Sequence, residues 1–539
     1  MDCFSSFLQI YGSVSSTIKH GLRKIPPINF ICKNPILNLF ITTLCWLISI
    51  IPLIILTIIL TLLFFYKSFV KLILKLRHGE NFGGILLSAD TLWITEDETA
   101  RNIINVVMVV QLDTSKKDLI EFMQDICRNH LLKTKRLSSI RKFFMGYGYF
   151  LANQVLVEDI LSVCVDFGDA KTINEENLKE FVSKYSNMAL PKDDKAAFEI
   201  IICEKRVVFT NTNELDKEQY AVLLRFHHSV ADGVSLMSLL SGIVDDKEHY
   251  RITSENLNKL DNNEIKRIKN LLFKRDLKRF YNCESYVNTL FAFKDKNPLR
   301  INKLTKEKHV SFKIGDNSMI EKVKTIRRAF NCSFSCVLYA AVSQSLCDFF
   351  KRNNLNNESN KNINDLTLTF MVIPDRVQLH YNHSELKNLT SIGNIKLSSK
   401  NNLTLRGRLE EIIKENEKYL ESCDPWIYLW QLKTFCNLLP SPLVRSLAKF
   451  SAVTSIGFTN MPGTKQVQLN GQDVSYLLFW VPNFITTGAS FSFFTYNDVF
   501  QVGFLVDKTL IPKGNDVEMI LEDIFSYIDK MYHSFCNQK

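Results

Sequence analysis

The sequence predicts an α/β protein built as two similar halves with a crossover between them, preceded by an apolar transmembrane helix. Three observations carry this reading. An apolar run without a charged residue fills positions 36–66, strand-like and helical segments alternate from about residue 80, and a polar, basic stretch at 247–305 interrupts them. The chain, 539 residues, is too long for one ordinary core. In order it divides into an N-terminal segment (1–35), an anchor (36–66), a first half (80–246), the basic crossover (247–305) and a second half (306–535).

In the first segment Phe4, Phe7, Leu8, Tyr11, Val14, Ile18 and Leu22 recur at helical spacing among Ser, Lys and His. That pattern fits an amphipathic helix lying on a bilayer or one packed on the protein's own body. The run Ile36–Tyr66 follows. As a helix it would extend roughly 46 Å, longer than the ~30 Å hydrocarbon core, so it fits a tilted span kinked at Pro52 or a helical hairpin. It is too long and too internal for a cleaved signal peptide. Lys19, Arg23, Lys24 and Lys33 precede it, and Lys67, Lys71, Lys75 and Arg77 follow. The flanking charges therefore tie, and the positive-inside rule sets no orientation.

Composition narrows the function classes. The apolar fraction of 46% and charged fraction of 23% are those of a globular protein. The net charge of +10 is dispersed along the chain, which suits an anionic membrane face and excludes the concentrated basic stripe of a nucleic-acid binder. The 13 Cys form no CxxC pair and have no accompanying His cluster, so they read as reduced thiols on a cytosol-facing protein, with no metal site.

Within the first half, Ile103–Leu112, Val155–Val165, Ile200–Phe209 and Ala221–His227 read as strands and Leu119–Leu132 as a helix. The crossover holds a basic helical pattern, Glu264–Phe280. In the second half the strands are Val310–Ile314, Leu366–Ile373, Val474–Val481, Ser490–Thr495 and Phe500–Val506. Its helices are Met319–Phe330 and Ser335–Phe350, and Asn353–Asn364 is a surface loop.

The most informative segment is Tyr220–Leu240, YAVLLRFHHSVADGVSLMSLL. Alternation puts Val222, Leu224, Phe226 and His228 on one side of a strand and His227 on the other. Asp232 and Gly233 make a turn, and Val234–Ile243 reads as a helix. His228 thus stands where a strand stops and a helix begins.

The pattern HHxxxDG at His227–Gly233 resembles the signature of the CoA-dependent acyltransferase superfamily. That group includes chloramphenicol acetyltransferase-like enzymes, plant acyltransferases, peptide-synthetase condensation domains and the wax ester synthase/diacylglycerol acyltransferase family. Further segments resemble the last of these. Leu87–Trp93 (LSADTLW) is similar to its opening LSxxDxxF box, and Leu190–Glu199 to its PLDxxxPLWE box, with Ala196, Ala197 and Phe198 departing from it. Ile373–Arg376, Gly393–Asn394, Thr459–Thr464 (TNMPGT), Asn470–Gly471, Pro482, Gly488, Thr495–Tyr496, Gly503 and Asp507 follow in the family's order. Ser335–Cys336 stand where the family often has Asn-Asp.

The resemblance covers about residues 85–535 and implies two chloramphenicol acetyltransferase-like subdomains. It implies transfer of a fatty acyl group from acyl-CoA to a lipid alcohol: a long-chain alcohol, giving a wax ester, or diacylglycerol, giving triacylglycerol. His228 is the expected general base, because a neutral imidazole can take the hydroxyl proton as the new bond forms. His227 is expected to pack or hydrogen-bond, Asp232 to hold the loop, and Gly233 to supply backbone freedom. Asn460, Pro462 and Gly463 are expected at the junction of the halves. Acyl-CoA enters as a substrate, and no cofactor is implied. The expected location is the endoplasmic reticulum membrane with the catalytic part cytosolic, the plasma membrane being the alternative. Transfer to a sterol or an amine, and a catalytically silent lipid-binding protein on the same fold, are the competing readings. Asp166–Gly168 spells a kinase DFG without the rest of a kinase, and the sequons at Asn388 and Asn402 are expected by chance in an Asn-rich chain.

Overall fold

A computed structural model of the chain describes residues 35–112, 116–168, 170–209, 218–245, 295–301, 303–355, 366–373, 386–399, 403–452, 454–461 and 463–536, with side chains from residue 54 onward except at 116–118 and 536. The N-terminal segment, Pro462, Arg376 and the basic pattern Glu264–Phe280 lie outside the described residues.

The segment expected as the anchor is one unbroken helix, Pro35–His78, of 44 residues. It continues through Pro52 and past Tyr66, so the hairpin alternative is not formed and the helix is twelve residues longer at its C-terminal end than the uncharged run. Leu, Ile and Phe keep it helical without polar competitors for the backbone. From Ile54 to Tyr66 its side chains are mostly exposed, and the described part is long and apolar enough to cross a membrane, with a mean hydropathy of 1.9 over an 18-residue window. Beyond that point the helix docks on the body: Val70 and Leu74 are fully buried in the first core, and Lys67 Nζ donates to Asn437 Oδ1 at 3.0 Å.

Two large sheets form the body. The first runs Gln468–Leu469, Gln472–Trp480, Ile103–Leu112, Glu218–His227, Phe198–Val207 and Leu161–Cys164, with Thr172–Ile173 pairing to Phe198–Val207. The second runs Ser391–Leu397, Leu366–Val372, Ile456–Met461, Ala489–Tyr496, Val499–Asp507 and Lys308–Ile314. A small sheet joins Phe82–Ile85 to the hairpin Ile140–Phe144 and Tyr147–Leu151.

Gln472–Trp480 belongs to the second half in sequence yet lies antiparallel beside Ile103–Leu112, from Asp473 opposite Gln111 to Trp480 opposite Asn105. A linear cut into 80–246 and 306–535 therefore does not separate the sheets. Trp480 seals the exchange: it is fully buried and its Nε1–H donates to Ser311 O at 2.9 Å. The helices Phe334–Arg352 and Gly514–Cys536 cover the second sheet, and Val337, Leu346, Ile520 and Ile524 are fully buried in its core. Burying such a side chain contributes ~1.5–3 kcal/mol.

Several segments differ from the sequence reading. Val155–Val165 is a short helix, Val157–Ile160, before a strand at Leu161–Cys164. Helices at Leu405–Leu420, Asp424–Gln431 and Ser441–Ser451 fill a stretch to which no element was assigned.

Candidate active site

Strand Glu218–His227 sits between Ile103–Leu112 and Phe198–Val207, and its residues alternate between two cores. Val222, Leu224 and Phe226 join one, while Ala221 and Leu223 join the other. The strand ends at His227, and the backbone turns there through Val230 N–H to His227 O at 2.9 Å. The helix Gly233–Ser241 then begins, capped by Asp232, whose Oδ1 accepts the Ser235 N–H at 2.9 Å.

His227 is buried in a polar network. Its Nε2–H donates to Glu96 Oε1 at 2.9 Å, and its Nδ1 accepts from Ser229 Oγ at 2.7 Å and Ser229 N–H at 3.1 Å. Glu96 also receives the Arg141 guanidinium at 2.8 Å and the Asn102 N–H at 2.9 Å. Burial raises the Glu96 carboxyl, but its pairing with His227 and Arg141 outweighs that and holds it far below the carboxylate range. Burial and the neighbouring Arg141 bring His227 down to about 4.

His228 has different surroundings. Its ring stacks on the Trp93 indole with centroids 3.7 Å apart and an interplanar angle of 16°. Its backbone is fixed at both ends: the N–H donates to Asn102 O at 2.7 Å, and the carbonyl accepts from Asn388 Nδ2 at 2.7 Å. Among the described residues, no hydrogen-bond partner reaches its buried Nδ1. Burial lowers its pKa to about 4, so the ring is neutral at physiological pH.

His228 borders a cavity of about 410 Å³ between the sheets. Ile104, Leu224 and Phe479 line it from the first sheet, and Phe370, Phe458 and Phe494 from the second. Its wall is mostly apolar. Two buried donors on it, Trp93 Nε1 and Thr390 Oγ1, have no hydrogen-bond partner among the described residues.

A segment from the second half clasps the His motif. Asp232 Oδ2 accepts the Leu389 N–H at 3.0 Å, and the Asp232 N–H donates to Lys387 O at 3.1 Å. Asn388 Nδ2 donates to both His228 O and Asp90 Oδ1, the latter at 2.9 Å. Asp90 in turn holds Arg136 at 2.9 Å, and Arg136 reaches Val230 O at 2.8 Å. Burial raises the Asp90 pKa, with Arg136 opposing it.

The expected site residues thus divide. His227, His228, Asp232 and Gly233 meet at one strand–helix turn. Gly233 provides space there rather than backbone freedom: its φ is not in the left-handed region, and a Cβ would come within 2.7 Å of Met461 Sδ. Asn460 lines the same cavity and donates to Ser335 Oγ at 3.2 Å, so the Ser that departs from the family's Asn-Asp still carries a polar contact. Gly463 stands against the Thr495 backbone, with no room for a side chain. Glu96, Asn102, Asn388 and Thr390 were not foreseen. Asn388 had been set aside with its sequon, yet it is buried beneath the site.

A sequence model described as the wax ester synthase/diacylglycerol acyltransferase catalytic domain matches residues 213–302, which include the His motif. One described as the WS/DGAT C-terminal domain matches residues 392–531. No curated protein matches the chain. Among solved structures it is similar to the wax ester synthase/diacylglycerol acyltransferase from Marinobacter aquaeolei VT8, at 14% identity and a TM-score of 0.54, covering 83% of this chain and 99% of that one. A trichothecene 15-O-acetyltransferase from Fusarium sporotrichioides aligns at 11% identity and a TM-score of 0.54, covering 82% and 94%. The first condensation domain of the calcium-dependent antibiotic synthetase aligns at 12% identity and a TM-score of 0.51, covering 84% and 97%. The chain shares the α/β fold of these structures.

Proposed function

We propose that the chain is an acyl-CoA-dependent O-acyltransferase of the wax ester synthase/diacylglycerol acyltransferase type, that it is membrane-bound and that it esterifies a lipid alcohol with His228 as general base; the two matching domain models support this reading. The observation that carries this reading is a neutral imidazole, buried against Trp93, on the wall of an apolar cavity.

With Nδ1 enclosed, Nε2 is the nitrogen available to a substrate. It takes the proton from the alcohol as the oxygen attacks the thioester carbonyl. The tetrahedral oxyanion collapses, the C–S bond breaks, and the departing CoA sulfur recovers the proton from the imidazolium. Trp93 Nε1–H and Thr390 Oγ–H are the unused donors available to the oxyanion, where one hydrogen bond can contribute ~10²–10³-fold in rate. Asp232 and Asn388 position the base by holding the turn that bears it.

The acceptor is a long-chain alcohol or diacylglycerol. The apolar wall suits an acyl chain, and the exposed apolar helix suits attachment where such alcohols reside. The endoplasmic reticulum membrane, with the body cytosolic, is the setting in which both substrates meet, the plasma membrane being the alternative. Asn388 is buried and cannot carry a glycan in the folded chain, so glycosylation as a test of orientation falls to sequons such as Asn402.

Labelled acyl-CoA offered with hexadecanol or diacylglycerol to the full chain in membranes tests the proposal. Ester formed by the wild type and lost in His228→Ala supports it; equal ester from both contradicts the role of His228.

A further inference from the structure

The helix Ser441–Ser451 carries its apolar residues on two faces. Val444 and Ala448 point inward with Ser441, while Leu443, Leu447 and Phe450, at i, i+4 and i+7, are 52%, 51% and 58% exposed. A soluble surface helix would put polar residues there. The neighbouring hairpin turn is similar: Phe143 and Met145 are 60% and 40% exposed. Isolated exposed apolar side chains need no explanation, but five on adjoining elements do.

These elements adjoin the anchor. Tyr66 Oη donates to Met145 O at 3.3 Å, and Lys67 Nζ reaches Asn437 just before the helix. Gly146 and Pro440 are in contact, and the Ser441 N–H donates to Gly146 O at 2.7 Å. The hairpin turn and the start of the helix are thus fixed to each other and to the anchor where its uncharged run ends. Tyr66, exposed with an apolar body and polar tip, suits the headgroup level of a bilayer.

We propose that Leu443, Leu447 and Phe450, with Phe143 and Met145, form a second membrane-contacting surface: an interfacial platform seated in the leaflet from which the anchor emerges. The occupant is lipid rather than a protein partner, because the patch continues the exposed apolar surface of a helix of membrane-spanning length, at the point where that helix meets the body. The inner face of the same helix packs on Leu92 and Trp93, and Trp93 stacks on His228. Lipid contact therefore lies one helix and one indole from the proposed base, giving an alcohol in the leaflet a short approach to the cavity. The proposal rests on the membrane reading of the anchor, and its test separates the two.

The full chain would be reconstituted in phosphatidylcholine vesicles carrying a trace of phosphatidylcholine with a diazirine on its acyl chain, then photolysed and mapped by mass spectrometry. The proposal expects adducts in 54–66, in 441–451 and at Phe143–Met145, and none at the exposed Leu420 and Met519 of the helices Leu405–Leu420 and Gly514–Cys536. Adducts in 54–66 alone overturn the platform and leave the anchor standing, whereas none in 54–66 overturns both. In a second arm, the triple variant Leu443→Ser, Leu447→Ser, Phe450→Ser is expected to raise KM for hexadecanol in vesicles about tenfold, with little change in kcat toward a water-soluble short-chain alcohol. Loss of turnover on both alcohols, or on neither, counts against the platform.

Discussion

His227 and His228 leave the end of one strand on opposite faces, and their surroundings differ in kind. Glu96 and Ser229 occupy both ring nitrogens of the first, with Arg141 beyond. The second has an indole on one face, a buried nitrogen without a partner and an apolar cavity in front. Both pKa values fall to about 4, but the rings are not equally available. A ring held by hydrogen bonds at both nitrogens braces the turn; the proposal gives proton transfer to the other ring, through Nε2 at the cavity.

The largest test of this contrast is His228→Ala, expected to lower kcat/KM by about 10²–10⁴-fold with thermal stability little changed. A variant that loses stability in proportion to activity would erase the distinction between the rings. His227→Ala is expected to do the reverse, removing a partner of buried Glu96 and costing about 1–3 kcal/mol of stability in thermal or urea unfolding. Asp232→Ala, which removes a helix cap and an acceptor for Leu389, is expected to cost about 2 kcal/mol and to lower kcat as the clasp loosens. Thr390→Val should reduce kcat about tenfold or more while leaving KM near its wild-type value, the mark of a contact made in the transition state.

The smallest effect expected is in the pH profile. Folded His228 stays neutral down to about pH 4, against 6.5 for an ordinary histidine, so kcat/KM should be level from pH 8 to 5. An acid limb centred near 6.5 would mean the base is solvated. The same depression makes the unfolded chain bind more protons between these values. Stability contributed by neutral His227 and His228 is thus complete above 6.5 and is lost as pH falls toward 4.

The strand, turn and helix around His228 were legible because their signals are local: alternation from Tyr220, Asp232 as a breaker, then helical spacing. The apolar helix was legible for the same reason, though its docked end was not, since Lys67 and Lys71 mark the limit of an apolar run and not of a helix. What escaped depends on contacts distant in sequence. Asn388 meets a carbonyl 160 residues away, and its own neighbourhood spells a sequon. Trp93 sits in a box whose resembling pattern has Phe, and nothing in that difference announces a ring stacked on His228. Helix Ser441–Ser451 carries apolar residues on two faces, which blurs the periodicity that identifies a surface helix.

The exchanged strand has a consequence for how the protein is made. Ile103–Leu112 leaves the ribosome early, but its neighbour Gln472–Trp480 is translated more than 350 residues later. Until then a long, apolar β-edge stands open beside the completed pairing with Glu218–His227. Such an edge invites pairing with other chains, so a nascent chain truncated before Gln472 should aggregate or remain held by chaperones.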